Sequence, residues 1–351
     1  MVDNKIINVS DKKIGQKKPI FIIAEAGVNH NGKLNLAKKL VDVAVNAGAD
    51  AVKFQTFNSK NLVTKKANMA DYQKKNTGKK ESQLSMLKKL ELKYEEFIEL
   101  KKYCDEKEII FLSTPHTFDA IDFLDKIVPA HKFSSGDLTN TPALKHAARK
   151  GKTIILGTGM ATLDEVKNAV KSIRSEGNDK IIALHCTTNY PCPLEEVNMN
   201  SMKTMQKELD CLVGYSDHTT GITVPIMAAS LGAVVIEKHF TLDKKLPGPD
   251  HKSSLSPEEL TEMIEKIRNT EDALGSFEKK PTKSEKEIMK LVRKSLVANK
   301  DIERGDKITE DMIIIKRPGT GIPPEKIKKI IGKKAKKSIK KDDLIIENMV
   351  E

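Results

Sequence analysis

Eight short, nearly unbroken apolar runs recur along the first three quarters of the chain, at 20–26, 51–57, 109–115, 131–137, 153–159, 181–187, 212–219 and 234–241. Each lacks polar alternation, as expected of a parallel strand covered on both faces. Between them lie stretches with apolar residues at helical spacing, at 34–47, 94–107, 118–126, 141–150, 163–175, 201–209, 222–231 and 257–274. In the first, Leu34, Ala37, Leu40, Val41 and Ala44 form one stripe, and Gly48 follows as a stop signal. Thr162-Leu-Asp-Glu165 and Ser256-Pro-Glu-Glu259 read as helix starts. Eight β/α units in roughly 250 residues is the count of a closed barrel. An open doubly wound sheet more often stops at about five or six strands. The pattern therefore predicts an α/β fold, a (β/α)8 TIM barrel.

Two stretches break the pattern. Residues 58–91 separate the second strand from its helix by far more than the usual connection. This polar, Lys-rich segment follows a strand, so it belongs on the face where barrel chemistry collects; it reads equally as a mobile lid or as a disordered insertion. After Leu274 the style changes. Strand-like pieces at 295–298, Ile302 and 312–316 are separated by turn formers, including Arg317-Pro-Gly-Thr-Gly-Ile-Pro-Pro324. The expected organisation is a barrel domain over 1–280, a linker over 281–287 and a small β-rich domain over 288–351.

Composition narrows the classes. No apolar run approaches the ~20 residues of a membrane span, and no apolar signal core follows Met1-Val-Asp-Asn-Lys5, so a cytoplasmic chain without a membrane partner is expected. Cys104, Cys186, Cys192 and Cys211 form no CxxC pair and read as free, buried thiols. The net charge of +12 raises the question of nucleic acid. Its distribution argues against it: residues 281–351 hold 19 Lys/Arg against 12 Asp/Glu, and in the run 326–341 lysines are interspersed with Ile, Ala and Ser. Aromatics are 4%, Trp is absent and no nucleic-acid motif is present, so a solvated lysine face is the better reading.

The chemistry sits where the predicted strands run out. These ends carry Glu25 with Asn29 and His30; Lys53 and Gln55; Ser113 and Thr114; Lys132, Ser134, Ser135 and Asp137; Thr158; His185, Thr187, Thr188 and Tyr190; Ser216, Asp217 and His218; and Glu237, Lys238 and His239. Any one is readily a satisfied structural group, but eight polar strand ends in register predict a functional site at the C-terminal face. Lys53 and Lys132 lie inside apolar strands, where an ammonium requires an anion. That anion is either Glu25 or Glu237, or a phosphorylated or carboxylated substrate. The backbone of Gly157-Thr-Gly159, read as a helix head, supports the second. His218 and His239 end adjacent strands, under ~5 Å apart. A lone histidine is usually structural. Two beside Glu237, Asp217 and Ser216 predict a divalent metal site with open positions, in surroundings that favour Mn or Mg over structural zinc.

Together these segments spell a family. Glu25-Ala-Gly-Val-Asn-His-Asn-Gly32, Val52-Lys-Phe-Gln-Thr56, Ser113-Thr-Pro115, Lys132-Phe-Ser-Ser-Gly-Asp137, Gly157-Thr-Gly-Met160, His185-Cys-Thr-Thr-Asn-Tyr-Pro191, Gly214-Tyr-Ser-Asp-His-Thr219, Glu237-Lys-His-Phe-Thr241 and Pro247-Gly-Pro-Asp250 resemble the sialic acid synthases. The stretch from Arg293-Lys-Ser-Leu296 through Lys316-Arg-Pro-Gly-Thr-Gly321 is similar to that family's C-terminal antifreeze-like (SAF) domain. The resemblance covers nearly the whole chain, in order.

The resemblance implies condensation of phosphoenolpyruvate (PEP) with an N-acetylmannosamine-type sugar, giving a nine-carbon 2-keto acid and phosphate. It implies His218 and His239 as ligands of a divalent ion, usually Mn2+, with Mg2+ or Co2+ as alternatives. Lys53, Lys132, Thr114, Ser135 and Ser216 would grip PEP. Glu25, Gln55, Tyr190 and Asp250 would meet the sugar. Glu237, Glu25 and Lys53 would be the catalytic groups, with Glu237 as acid/base next to the metal. It further implies a domain-swapped homodimer, in which Arg317 reaches the sugar bound by the other subunit. Glu25-Ala-Gly27 departs from the Glu-Leu-Ser of the pseudaminic branch, leaving N-acetylneuraminate and N,N'-diacetyllegionaminate as the two products. The nearest rival is another barrel enzyme joining PEP to a phosphorylated aldose, which needs further basic residues. A non-catalytic sugar- or nucleic-acid-binding barrel is the rival from another class.

Overall fold

A computed structural model describes residues 5–78 and 81–351. The chain divides into two compact units, 1–275 and 276–351. The first opens with a hairpin, β1 (Ile6–Val9) against β2 (Lys12–Gly15), which sequence reading missed. Its strands are four residues each, and Ile7, Val9 and Ile14 pack into the apolar base of the barrel.

All eight expected strands are present: β3 (Phe21–Gly27), β4 (Ala51–Thr56), β5 (Ile110–Pro115), β6 (Ala130–Phe133), β7 (Thr153–Gly157), β8 (Ile181–His185), β9 (Leu212–Asp217) and β10 (Val235–His239). They form one parallel sheet in the order β5-β4-β3-β10-β9-β8-β7-β6, and β5 lies beside β6 to complete the barrel. The helix after each strand also matches expectation within a residue or two, as in Leu34–Asn46, Tyr94–Glu106 and Pro257–Leu274. Thr162 and Ser256 accept hydrogen bonds from the N–H groups of Glu165 and Glu259, and those glutamates bond back to the cap residues.

The pleat sorts the strand residues into two shells. Phe21, Ile23, Ala51, Leu112, Ala130, Ile155, Ile182, Leu212 and Val235 fill the barrel's interior at its base. Ile22, Ala24, Val52, Phe54, Phe111, Ile154, Ala183, Val213 and Ile236 face the surrounding helices. Five interior columns turn polar two residues further on: Ile23 to Glu25, Ala51 to Lys53, Leu112 to Thr114, Ala130 to Lys132, and Val235 to Glu237. The base supplies packing and the upper layer supplies chemistry.

Three expectations need correction. Residues 58–91 are not an unstructured insertion: the described part holds helices Ser59–Leu62, Asp71–Thr77 and Gln83–Lys88. Met69, Met86 and Leu90 bury an apolar cluster there with Val28 and Phe57. The expected linker 281–287 contains the start of a helix, Lys283–Val292, with Thr282 and Glu285 forming a reciprocal cap. The turn-forming Pro281 hid that start. The fourth barrel strand stops at Phe133 rather than 137, because Ser135–Asp137 wind into a 3-10 turn.

The second unit pairs β11 (Ser295–Ala298) antiparallel with β12 (Ile313–Lys316). Leu296, Ile302, Ile308, Ile322, Ile339 and Ile345 form its core. In the lysine run, Ile330, Ala335 and Ile339 are buried while Lys333, Lys334, Lys336, Lys337 and Lys340 are exposed, so the run is a solvated face. Among the described residues no helix is long and apolar enough to cross a membrane.

Candidate active site

The upper layer of the barrel encloses a cavity of about 420 Å³. Its lining brings together Glu25, Lys53, Gln55, Thr114, Lys132, Ser135, Tyr190, Ser216, His218, Glu237 and His239. Asp250 faces a smaller annex of about 100 Å³, bordered also by Gln55, Tyr190 and His239. Arg317 belongs to the second unit, where it is exposed at the end of β12.

At the centre are two lysines and two carboxylates, all less than a tenth exposed. Lys53 Nζ lies 2.6 Å from Glu25 Oε2 and 3.7 Å from Glu237 Oε2, and donates to Thr114 Oγ1 at 3.1 Å. Lys132 Nζ approaches Glu237 Oε1 at 3.4 Å and donates to the Phe133 carbonyl at 3.1 Å. Ser216, the cross-strand neighbour of Glu237, donates to Glu237 Oε1 at 3.0 Å. Both pairings left open from sequence are therefore present.

The two carboxyls are driven apart. Burial raises Glu25, and Glu237 adds to the rise, while Lys53 only partly offsets it. Burial would raise Glu237 too, but Lys132, Lys53, the Ser216 hydroxyl and His239 outweigh it and hold the group below its ordinary value. Burial depresses Lys53, yet Glu237 and Glu25 prevail and keep the ammonium charged. Two acids with divergent affinities for protons suit an acid and a permanently ionised stabiliser.

A bulge places Glu25 against its neighbours. The β3–β4 register shifts between Glu25 and Gly27. Gly27 adopts φ +54°, and a Cβ there would meet Glu25 Oε1, His239 Cε1 and Gln55 Nε2 at 3.3–3.4 Å. Glycine lets those three side chains converge.

Opposite, the rings of His218 and His239 have centroids 5.8 Å apart, with Tyr190 4.1 Å from the first and 5.7 Å from the second. Burial lowers His218 to about 4 and His239 well below its ordinary value, so both imidazoles are neutral at pH 7. The Thr187 carbonyl accepts from His218 Nδ1 at 2.6 Å, which fixes the tautomer and leaves Nε2 its lone pair. His239 Nδ1 is buried without a hydrogen-bond partner. This donor chemistry fits a divalent ion. Among the described residues no group of three or more His, Cys, Asp or Glu converges on one point. The chain thus offers two nitrogen ligands, and water and substrate would complete the coordination.

A neutral-polar wall closes the side towards β6–β8. Ser135 Oγ accepts from Gly159 N at 3.0 Å and lies 3.2 Å from Cys186 Sγ. A Cβ on Gly159 would fall 2.2 Å from Thr188 Oγ1, so only glycine fits. This corrects the view of Gly157-Thr-Gly159 as a helix head. The helix starts later, at Leu163, with the Glu165 N–H capped by Thr162 Oγ1 and the Thr162 N–H bonded to Glu165.

Other strand-end groups turn out to be structural. Thr158 Oγ1 donates to the Leu184 carbonyl at 2.8 Å, and Ser113 and Thr56 share a hydrogen bond of 2.7 Å. His185 Nε2 bonds the Val197 carbonyl, and Asn29 Nδ2 bonds the Phe240 carbonyl and Ser254 Oγ. Asp217 and Lys238 pair with each other, fully buried. Thr188, a strand-end candidate from the sequence, lines the cavity, whereas sequence reasoning overlooked Cys186, Gln83 and Leu87. Cys186 was discoverable, since it continues the interior column of Ile182 and Leu184.

Known proteins resemble this chain over most of its length. A model of the NeuB family matches residues 40–279 and a model of the SAF domain matches residues 293–351. The N,N'-diacetyllegionaminic acid synthase of Campylobacter jejuni is 47% identical over 94% of this chain and 100% of its own length. The protein of that name from Legionella pneumophila is 47% identical over 95% of this chain and 94% of its own. Among solved structures, an N-acetylneuraminic acid synthetase from Leptospira borgpetersenii in complex with citrate superposes with a TM-score of 0.72 at 34% identity. It covers 81% of this chain and 95% of that one.

Proposed function

Since the chain belongs to the NeuB family of sialic acid-type synthases, we propose that it condenses PEP with an N-acylated mannosamine-type sugar. The products are a nine-carbon 2-keto acid and inorganic phosphate. The relatives described above that are 47% identical bear the name of legionaminic acid synthases, so we take 2,4-diacetamido-2,4,6-trideoxymannose as the preferred acceptor and N-acetylmannosamine as the second. The observation that carries the reading is one cavity holding two buried lysines, two carboxylates of opposite tendency and two neutral histidines.

In the proposed reaction C3 of PEP attacks the aldehyde carbon of the open-chain sugar. Lys53 and Lys132 hold the anionic groups of PEP, exchanging part of their contact with Glu25 and Glu237, and Thr114, Ser135 and Ser216 donate to the remaining oxygens. A divalent ion held by His218 and His239 would supply Lewis-acid polarisation of the aldehyde oxygen. Glu25, which burial makes readier than usual to stay protonated, gives a proton to the aldehyde oxygen, which becomes a hydroxyl as the carbon–carbon bond forms. Positive charge develops at C2 of PEP, and the ionised Glu237 stabilises it and directs a water onto that carbon. Cleavage of the C2–O bond then releases phosphate as the added water becomes the ketone oxygen, one of its protons leaving with phosphate and the other restoring Glu25. Gln55, Tyr190 and Asp250 orient the sugar. Burial raises the Asp250 carboxyl to about 6, which suits it to meet hydroxyl and amide donors. By resemblance, two chains pair and Arg317 of each serves the cavity of the other.

A phosphorylated acceptor fits less well. The described lining contains Lys53 and Lys132 as its only permanent cations, and both are engaged by carboxylates. The test is phosphate release from PEP with Mn2+ and each sugar, with and without chelator. Release is expected with the diacetamido sugar foremost, and chelation should abolish it. No release with either sugar would sink the synthase reading; release surviving full chelation would sink the metal.

A further inference from the structure

We propose that the buried Asp217–Lys238 ion pair, outside the barrel wall, is a positioning device that sets the spacing of the two histidines; this rests on the metal reading above. The two side chains are a cross-strand pair in the β9–β10 register, and both are 0% exposed. The neighbouring pair, Ser216 with Glu237, points into the cavity, so the pleat directs Asp217 and Lys238 outward.

Both oxygens of Asp217 are engaged in the outer network. Asp217 Oδ1 accepts from the Tyr215 hydroxyl at 3.0 Å, from Thr219 N at 3.3 Å and from Thr219 Oγ1 at 3.1 Å. Asp217 Oδ2 accepts from Thr219 Oγ1 at 2.9 Å and from Lys238 Nζ. Lys238 Nζ also donates to the Thr219 carbonyl. One ammonium therefore grips residues 217 and 219 from outside, and His218 lies between them with its ring inside. The residue after Lys238 is His239. Any slip of β9 against β10 would change the distance between the rings and must first break this cluster.

The choice of a charged pair is itself informative. A buried ion pair is often replaceable by apolar residues without loss of stability, so its use here points to a requirement for one defined register. Outer-sphere contacts that orient metal ligands commonly govern affinity by about 10–100-fold. Asp217 and Lys238 touch neither substrate nor ion; they act through His218 and His239.

The test compares wild type, the double variant D217N/K238M and Y215F, all as the full chain. The double variant removes both charges at similar volume. Y215F removes one hydrogen bond to Asp217 and keeps the ring. Mn2+ affinity, read from the electron-spin-resonance signal of free ion in the presence of PEP, should weaken about 10–100-fold in the double variant. Y215F should shift in the same direction by a few-fold, and it carries the decision if the double variant does not fold. PEP affinity should stay within a few-fold of wild type, and the visible spectrum of the Co2+-loaded double variant should change. Wild-type Mn2+ affinity and Co2+ spectrum in folded variants would overturn the proposal alone. Failure of wild type to bind Mn2+ would overturn it together with the metal reading.

Discussion

Two sets of buried charges sit on opposite faces of the same strand ends, and their bonding differs. Outside the barrel, Asp217 and Lys238 bond one another, and Tyr215 and Thr219 bond to them as well, so that both oxygens of Asp217 have partners. Inside, Lys53 and Lys132 share Glu25 and Glu237 at 2.6 to 3.7 Å, and Glu237 Oε2 has no hydrogen-bond partner. Burial makes every unmet bond costly, so a carboxylate with both oxygens bonded holds its strands in register, and one with an unmet oxygen awaits a ligand. The same residue types, one step apart along a strand, are thereby assigned to different tasks.

Substitution of one lysine from each face would break or sharpen that contrast most sharply. Lys53→Met should reduce kcat/KM for phosphate release by about 10³-fold, or about 4 kcal/mol of transition-state stabilisation. Its effect on the fold should be smaller, because Glu25 already tends to hold its proton and Lys132 still faces Glu237. Lys238→Met should do the reverse to stability, since it strands the Asp217 carboxylate in a fully buried site. The expected cost is about 3–5 kcal/mol, read as a lowered urea midpoint at unchanged slope. Equal loss of stability in the two variants would remove the distinction.

Which charges faced which way was not legible in the sequence. The eight strands were, because each is an apolar run bounded by helical patterning. Those runs are apolar on both faces, however, so they lack the alternation that would fix the phase of the pleat. Ser216 and Asp217 were equally good candidates for the cavity until Ile23, Ala51 and Val235 defined the interior column. The hairpin β1–β2 escaped because its buried residues are too few to make a pattern. Asp250 was legible only by resemblance, since its place beside His239 depends on a long return of the chain after β10.

A second comparison sets the cavity histidines against His30, buried at 1% exposure beside Phe54. His30 Nδ1 accepts from Gly32 N at 3.1 Å, so Nε2 carries the hydrogen, and that atom has no partner. Burial, with a smaller contribution from His251, lowers its folded value from the ordinary 6.5 to about 4. The unfolded chain therefore takes up a proton before the folded one does. The stability from keeping His30 neutral is fully present above pH 6.5 and is lost as pH falls towards 4, amounting to about 3 kcal/mol. Urea unfolding from pH 7.5 to 4.5 should show this decline, and His30→Asn should make it shallower, leaving the part that His218 and His239 contribute in the same way. An equally steep decline in the variant would assign the acid sensitivity elsewhere.

The smallest effect separates two ways of holding a phosphate on the β7 side of the cavity. If the helix Leu163–Arg174 presented its N-terminus to the substrate, its cap would matter to binding. Instead Thr162 Oγ1 caps the Glu165 N–H, Glu165 bonds the Thr162 N–H, and the Gly159 N–H is directed at Ser135 Oγ. Thr162→Ala should therefore lower stability by about 1 kcal/mol, the usual worth of such a cap, and leave the KM for PEP unchanged. Ser135→Ala should do the opposite, raising that KM several-fold with little effect on the unfolding midpoint. A raised KM in Thr162→Ala, at unchanged kcat, would return the helix terminus to the binding site and make the cradle around Gly159 an accessory to it.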